Sequence, residues 1–145
     1  MNLLYKNFSF IIICLLFILS CKKSDVINDL DFQKSLIGGK GTYSNTQRIW
    51  KIDSLIVNDS IVVLSNSQKL FTKTYLSNGT FFDKDGISGK WDISPLDNLK
   101  ESLYDSNGRY LFDSLNYHIN LISSNRLVYT LISTKKIKYI YVVSE

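Results

Sequence analysis

The 145-residue chain contains no alanine, one proline, one histidine and two cysteines. Each scarcity removes a class of protein. Without alanine, the best helix former, and with nine tyrosines, eight phenylalanines and many isoleucines and valines, the composition favours strands over helices. Two cysteines cannot staple a disulfide scaffold. A zinc centre wants three or four ligands, and if neither cysteine remains as a free thiol in the mature chain, one histidine leaves only carboxylates to supply the rest. Charged residues make up only 21% of the chain and aromatics 13%, so this is not a disordered polyelectrolyte. The length fits one domain of ordinary size. The net charge is +4, and its basic residues are scattered, which argues against a nucleic-acid footprint. Lys135-Lys136-Ile137-Lys138 is the densest cluster and reads as a turn kept soluble by charge. Gly38-Gly39-Lys40-Gly41 lacks the preceding strand and following helix of a phosphate-binding loop.

The amino terminus reads as an address. Lys6 supplies positive charge, and Phe8 to Leu19 runs without a charge, too short to span a bilayer but long enough for a signal-peptide core. The run stops at Ile18-Leu19-Ser20-Cys21. A branched apolar residue at −3, a small one at −1 and then cysteine resemble the lipobox of bacterial lipoproteins. Residues 1–20 are accordingly expected to be a signal peptide, and Cys21 the lipidated first residue of the mature chain, held at the membrane through its acyl chains. Cys14 would leave with the leader, so no thiol remains for a disulfide, a nucleophile or a metal. Lys22 in the position after Cys21 resembles outer-membrane sorting in such proteins.

Residues 21–44 are polar and end in glycines, the composition of a tether. Val26, Leu30 and Ile37 approach helical spacing, which allows a short helix across Asp25 to Leu36. The Lys22-Lys23 pair reads as part of a solvated linker. From residue 45 to 145 the pattern is period two, interrupted by turn residues. Trp50, Ile52 and Ile56 share one parity, and Asn58-Asp59-Ser60 turns the chain into Ile61–Leu64. Lys69–Leu76 and Thr80–Asp83 flank Asn78-Gly79, a strong hairpin signal because both residues tolerate positive φ. Asp85-Gly86 precedes Gly89, Trp91 and Ile93 on a common face. Asp83 and Asp85 lack the further ligands of a calcium loop and read as a turn. After Pro95, Leu96, Leu99 and Leu103 fit either a ragged strand or helical turns. Leu115, Tyr117, Ile119 and Leu121 alternate with polar residues; His118, on the Asn116 and Asn120 parity, faces solvent. Leu127, Tyr129 and Leu131, then Ile137, Tyr139, Tyr141 and Val143, complete about eight strands, the pattern of an antiparallel sandwich or barrel.

Gly38-Gly39-Lys40 ahead of Trp50-Lys51-Ile52-Asp53-Ser54-Leu55, then Asn78-Gly79-Thr80-Phe81, Gly89-Lys90-Trp91, Tyr117-His118-Ile119 and Ser124-Asn125-Arg126-Leu127 resemble the lipocalin-like domain of small Gram-negative lipoproteins. The resemblance spans roughly Leu36 to Val143. It implies an all-β fold, an antiparallel up-and-down meander of about eight strands closing into a small lipocalin-like barrel, with an apolar ligand inside. The Gly-x-Trp triplet of true lipocalins stands at Gly89–Trp91, not before Trp50. The family carries no catalytic residue set to transfer, nothing around His118 resembles a Ser-His-Asp relay, and no enzyme activity and no cofactor are expected. The candidate ligand-binding residues are Trp91, Tyr117, Tyr129, Tyr139 and Tyr141, which share the inward parity. Their rings would either line a pocket for a small hydrophobic ligand or plug the barrel of an accessory lipoprotein that binds an envelope protein.

Overall fold

The structure, a computed structural model, describes residues 29–39, 46–95, 97–105, 108–111 and 114–144. Residues 1–20, expected to be a leader, and Cys21 and the Lys22-Lys23 pair lie outside the described residues.

Among the described residues nine strands follow one α-helix: α1 (Asp29–Gly38), β1 (Gln47–Val57), β2 (Ser60–Val62), β3 (Thr72–Leu76), β4 (Thr80–Asp83), β5 (Ser88–Ser94), β6 (Asn98–Tyr104), β7 (Leu115–Ile122), β8 (Arg126–Leu131) and β9 (Ile137–Val143). From β3 onward each strand pairs antiparallel with the next, and β9 returns to β1, with register from Trp50↔Val143 to Val57↔Ile137. The ring of β1 and β3–β9 is an eight-stranded closed barrel, so its strands present no unpaired edges inside the ring. β1 is long enough to pair with β3 through its first half and with β2 through its last three residues. Asn58 and Asp59 join β1 to β2 with φ of 50° and 62°, the left-handed pair that a two-residue hairpin needs. The stretch around Leu99 is a strand, which settles the open choice between strand and helical turns.

Turn chemistry places the hairpins where the sequence predicts them. Gly79 sits at φ 82° after Asn78, whose side chain accepts from the Thr80 N–H at 3.0 Å. Gly86 sits at φ 87°, and the Asp83 carboxylate accepts the backbone N–H groups of Asp85 and Ile87 at 3.0 and 2.9 Å. Within β5, a Cβ on Gly89 would stand 2.0 Å from the Ser102 carbonyl oxygen and 2.9 Å from the Phe81 ring, so only glycine fits that wall.

Two bulges change which residues face inward. The β1–β9 register shifts between Ile52 and Ser54, and beyond it Leu55, not Ile56, reaches the interior cavity. The β7–β8 register shifts between Ile119 and Leu121, so Leu121 is exposed while Ile122 packs on the core. Period-two reading of both strands fails past the extra residue.

Residues 29–38, placed by composition in the tether, form a helix that closes one end of the barrel. Ile37 is fully buried, and Leu30, seven residues earlier on the same face, packs on the core. Burying an isoleucine side chain is worth about 1.5–3 kcal/mol. The last carbonyls of α1 would otherwise be unsatisfied. Trp50 Nε1 donates to the Ile37 carbonyl at 3.0 Å and Arg48 Nη1 to the Leu36 carbonyl at 2.7 Å. Gly39, at φ 91°, ends the helix with its N–H on the Ser35 carbonyl. Leu30 and Ile37 therefore pack on the same core as the strands that follow residue 45.

Candidate functional site

The helix-capped end of the barrel collects the β3–β4, β5–β6 and β7–β8 turns. The other end collects β2, the segment that runs from it through a 3₁₀ turn at Gln68–Leu70, and the β4–β5, β6–β7 and β8–β9 connections. A cavity of about 360 Å³ opens at this second end. Such a volume is at the small end of the range that holds compact organic ligands.

Its wall is largely tyrosine. Tyr129 on β8 stands opposite Tyr139 on β9, with Tyr117 on β7 and Tyr141 further along β9 beside it. Ring centroids lie 4.5 Å apart for Tyr117–Tyr129, 5.6 Å for Tyr129–Tyr139 and 5.5 Å for Tyr129–Tyr141, within the range of favourable ring contacts. Ile52, Leu55, Leu64 and Phe71 add aliphatic and aromatic surface, and Ser67, Gln68, Lys84 and Asp85 stand towards the mouth. Four of the five aromatics expected from inward parity are thus brought together.

Trp91 is not among them. It is buried at the helix-capped end, with Nε1 donating to the Leu76 carbonyl at 3.0 Å, its ring edge-on to Tyr75 and its Cζ2 close against Gly38. Its parity is inward, but its depth along the barrel places it under α1 instead of in the cavity. His118 is exposed on the outer face, as its parity predicts.

The deep part of the site holds two residues the sequence reading passed over. Lys73, on the cavity wall, donates to both carboxylate oxygens of Glu101 at 3.0 and 2.9 Å, and Glu101 is 0% exposed. The Tyr75 hydroxyl donates to the same carboxylate. The ammonium also lies 5.3 Å from the Phe81 ring centroid and 6.0 Å from that of Tyr117, where ring faces favour a cation. Asp83 is the cross-strand neighbour of Lys73. A signal for this pair existed: Phe71-x-Lys73-x-Tyr75 and Leu99-x-Glu101-x-Leu103 each carry one charge on an otherwise apolar parity.

The hydroxyls are held neutral. Burial raises Tyr75, Tyr117, Tyr129 and Tyr141 above the usual tyrosine range, and the negative charge of Glu101 adds to the rise of all four. Tyr139, half-buried, is raised for the same two reasons. Asp83 is also raised, mainly by burial. The site therefore offers neutral phenol rings, their hydroxyls and one ammonium already shared with a carboxylate behind it. Among the described residues no three histidine, cysteine, aspartate or glutamate side chains gather as a metal site.

No protein-family model matches the chain, and no curated protein or solved structure is significantly similar to it.

Proposed function

We propose that this is a lipid-anchored envelope protein, held in the outer membrane through Cys21, whose barrel binds one small amphipathic ligand. The observation that carries the binding half is the tyrosine-walled cavity, open at one end of a closed barrel and floored by a lysine. Mostly apolar and aromatic lining with a few placed polar groups is what small-molecule sites share. The ligand's apolar body lies against Tyr117, Tyr129 and Tyr139. Its polar head is a hydrogen-bond acceptor, because Lys73 reaches the cavity wall while Glu101 stays behind it. Since that ammonium is already neutralised, a carbonyl or hydroxyl oxygen suits the floor better than a second carboxylate. The resemblance of the sequence to lipocalin-like lipoproteins supports the same reading.

The purified protein is expected to take up one equivalent of a solvent-sensitive hydrophobic dye, and medium-chain alcohols and methyl esters should displace it better than the matching fatty acids. Calorimetry and dye displacement measure both. Tyr139→Ala removes a wall contact worth about 1.4 kcal/mol and should weaken binding about tenfold. A wild type that binds no dye or alcohol at saturating concentration would support the accessory lipoprotein with a plugged barrel instead. The anchoring half has its own test. Growth with a clickable fatty acid should label the wild type and leave Cys21→Ser unlabelled; a variant that still takes label rules the site out.

A further inference from the structure

Among the described residues, most of the large apolar side chains left in water are gathered at one place. Val63 is 91% exposed, Ile61 75% and Leu70 57%, all from β2 and the segment after it. Ile87 in the β4–β5 turn, Leu111 between β6 and β7 and Ile132 between β8 and β9 are exposed beside the same opening. Four connections far apart in sequence each raise aliphatic tips around the cavity mouth. Among the described residues, Phe32 on α1 and Leu121, near the end of β7, are exposed towards the helix-capped end, and Phe82 is exposed on β4. A soluble surface tolerates scattered apolar residues, but a ring of them around an opening marks a contact.

The charges are arranged to match. Lys69, Lys84, Arg109, Lys135 and Lys136 are exposed at the mouth, with Lys138 half-buried behind them. Among the described residues the acids there are Asp59 and Asp85, exposed, Asp105, half-buried, and Asp83, buried and turned to backbone N–H groups. Among the described residues the helix-capped end is balanced: Lys34 pairs with Asp92 at 2.7 Å, and Asp31 and Asp97 offset Arg48 and Arg126.

We propose that the mouth of the barrel is a docking surface for an anionic lipid bilayer, so that the cavity opens onto lipid. The pattern separates this occupant from a protein partner. Protein interfaces exclude lysine from their centres and rely on aromatic or arginine anchors seated in pockets. Here isolated Ile, Val and Leu tips alternate with lysines on loops, the arrangement that enters the headgroup region of a charged membrane. Docking does not depend on the nature of the ligand, and an apolar ligand would reach the cavity without crossing water.

The test uses the full chain reconstituted in vesicles, with single tryptophan reporters added at Val63→Trp on the mouth and Leu121→Trp towards the opposite end. Both sites are exposed, so neither change disturbs the core, and Ile132→Trp serves as a second mouth reporter. In vesicles of phosphatidylcholine and phosphatidylglycerol containing brominated acyl chains, the mouth reporters should be quenched several-fold more than Leu121→Trp. Lys135→Glu with Lys136→Glu, or vesicles without phosphatidylglycerol, should remove most of that difference. Equal quenching of the two ends, or mouth reporters that remain unquenched on anionic vesicles, overturns the proposal. So does shielding of Val63→Trp from a water-borne quencher before lipid is added, together with a sedimentation mass of two copies. That result would give the mouth to a second copy of the chain.

Discussion

Lys73→Met should lower the unfolding free energy by about 3–5 kcal/mol, because it leaves a fully buried carboxylate without its cation. Glu101 sits inside the barrel with the Lys73 ammonium on both oxygens and the Tyr75 hydroxyl on one. Taking away the ammonium forces Glu101 either to stay charged in a low-dielectric interior or to take up a proton. Both cost free energy that the native pair avoids. The companion change tells the pair from mere packing. Lys73→Met combined with Glu101→Leu removes both charges together, so most of the loss should return, since apolar replacement of a whole buried pair is often neutral or better. Urea titration of the wild type, the two single variants and the double variant closes the cycle. Losses that simply add would mean that the two groups do not act as a pair. In the double variant the dye should still enter the cavity, while the preference of the floor for an acceptor head should disappear.

Raising the pH should unfold the barrel in one cooperative step above about pH 10, the pKa of a free tyrosine. Tyr75, Tyr117, Tyr129 and Tyr141 are all buried, and burial raises each of them above that value. The sign follows from proton counting. Above pH 10 the unfolded chain has lost these phenolic protons while the folded chain keeps them, so folding binds protons and stability falls with rising pH. Below pH 10 both states hold the protons and the contribution is fully present. Each such group removes about 1.4 kcal/mol per pH unit, and four together about 5 kcal/mol per unit. A domain of ordinary stability is exhausted within about one to three units. Tyrosinate absorbance and far-ultraviolet circular dichroism should therefore change together for these residues. Full tyrosinate signal while the strand spectrum is intact would show that the hydroxyls are open to water.

The sequence by itself determined the strand class, the hairpin positions and the inward face of most strands. Those properties are local. Asn58-Asp59, Asn78-Gly79 and Asp85-Gly86 turn the chain because of their own backbone preferences, and alternation assigns Tyr117, Tyr129, Tyr139 and Tyr141 to the interior one strand at a time. Depth along the barrel is a different matter. Period two separates inside from outside but carries no height, so Trp91 shares the parity of the tyrosines yet lies under α1. Bulges between Ile52 and Ser54 and between Ile119 and Leu121 invert the parity, and no local signal announces an extra unpaired residue. Whether α1 belongs to the tether or the body depends on Trp50 and Arg48 reaching its last carbonyls, contacts made only once β1 is in the barrel. The Lys73–Glu101 pair is the clearest case. β3 and β6 are not neighbours in the sheet, with β4 and β5 between them. Each strand alone shows a misplaced charge, and only closure of the barrel sets the two face to face, where each makes the burial of the other tolerable.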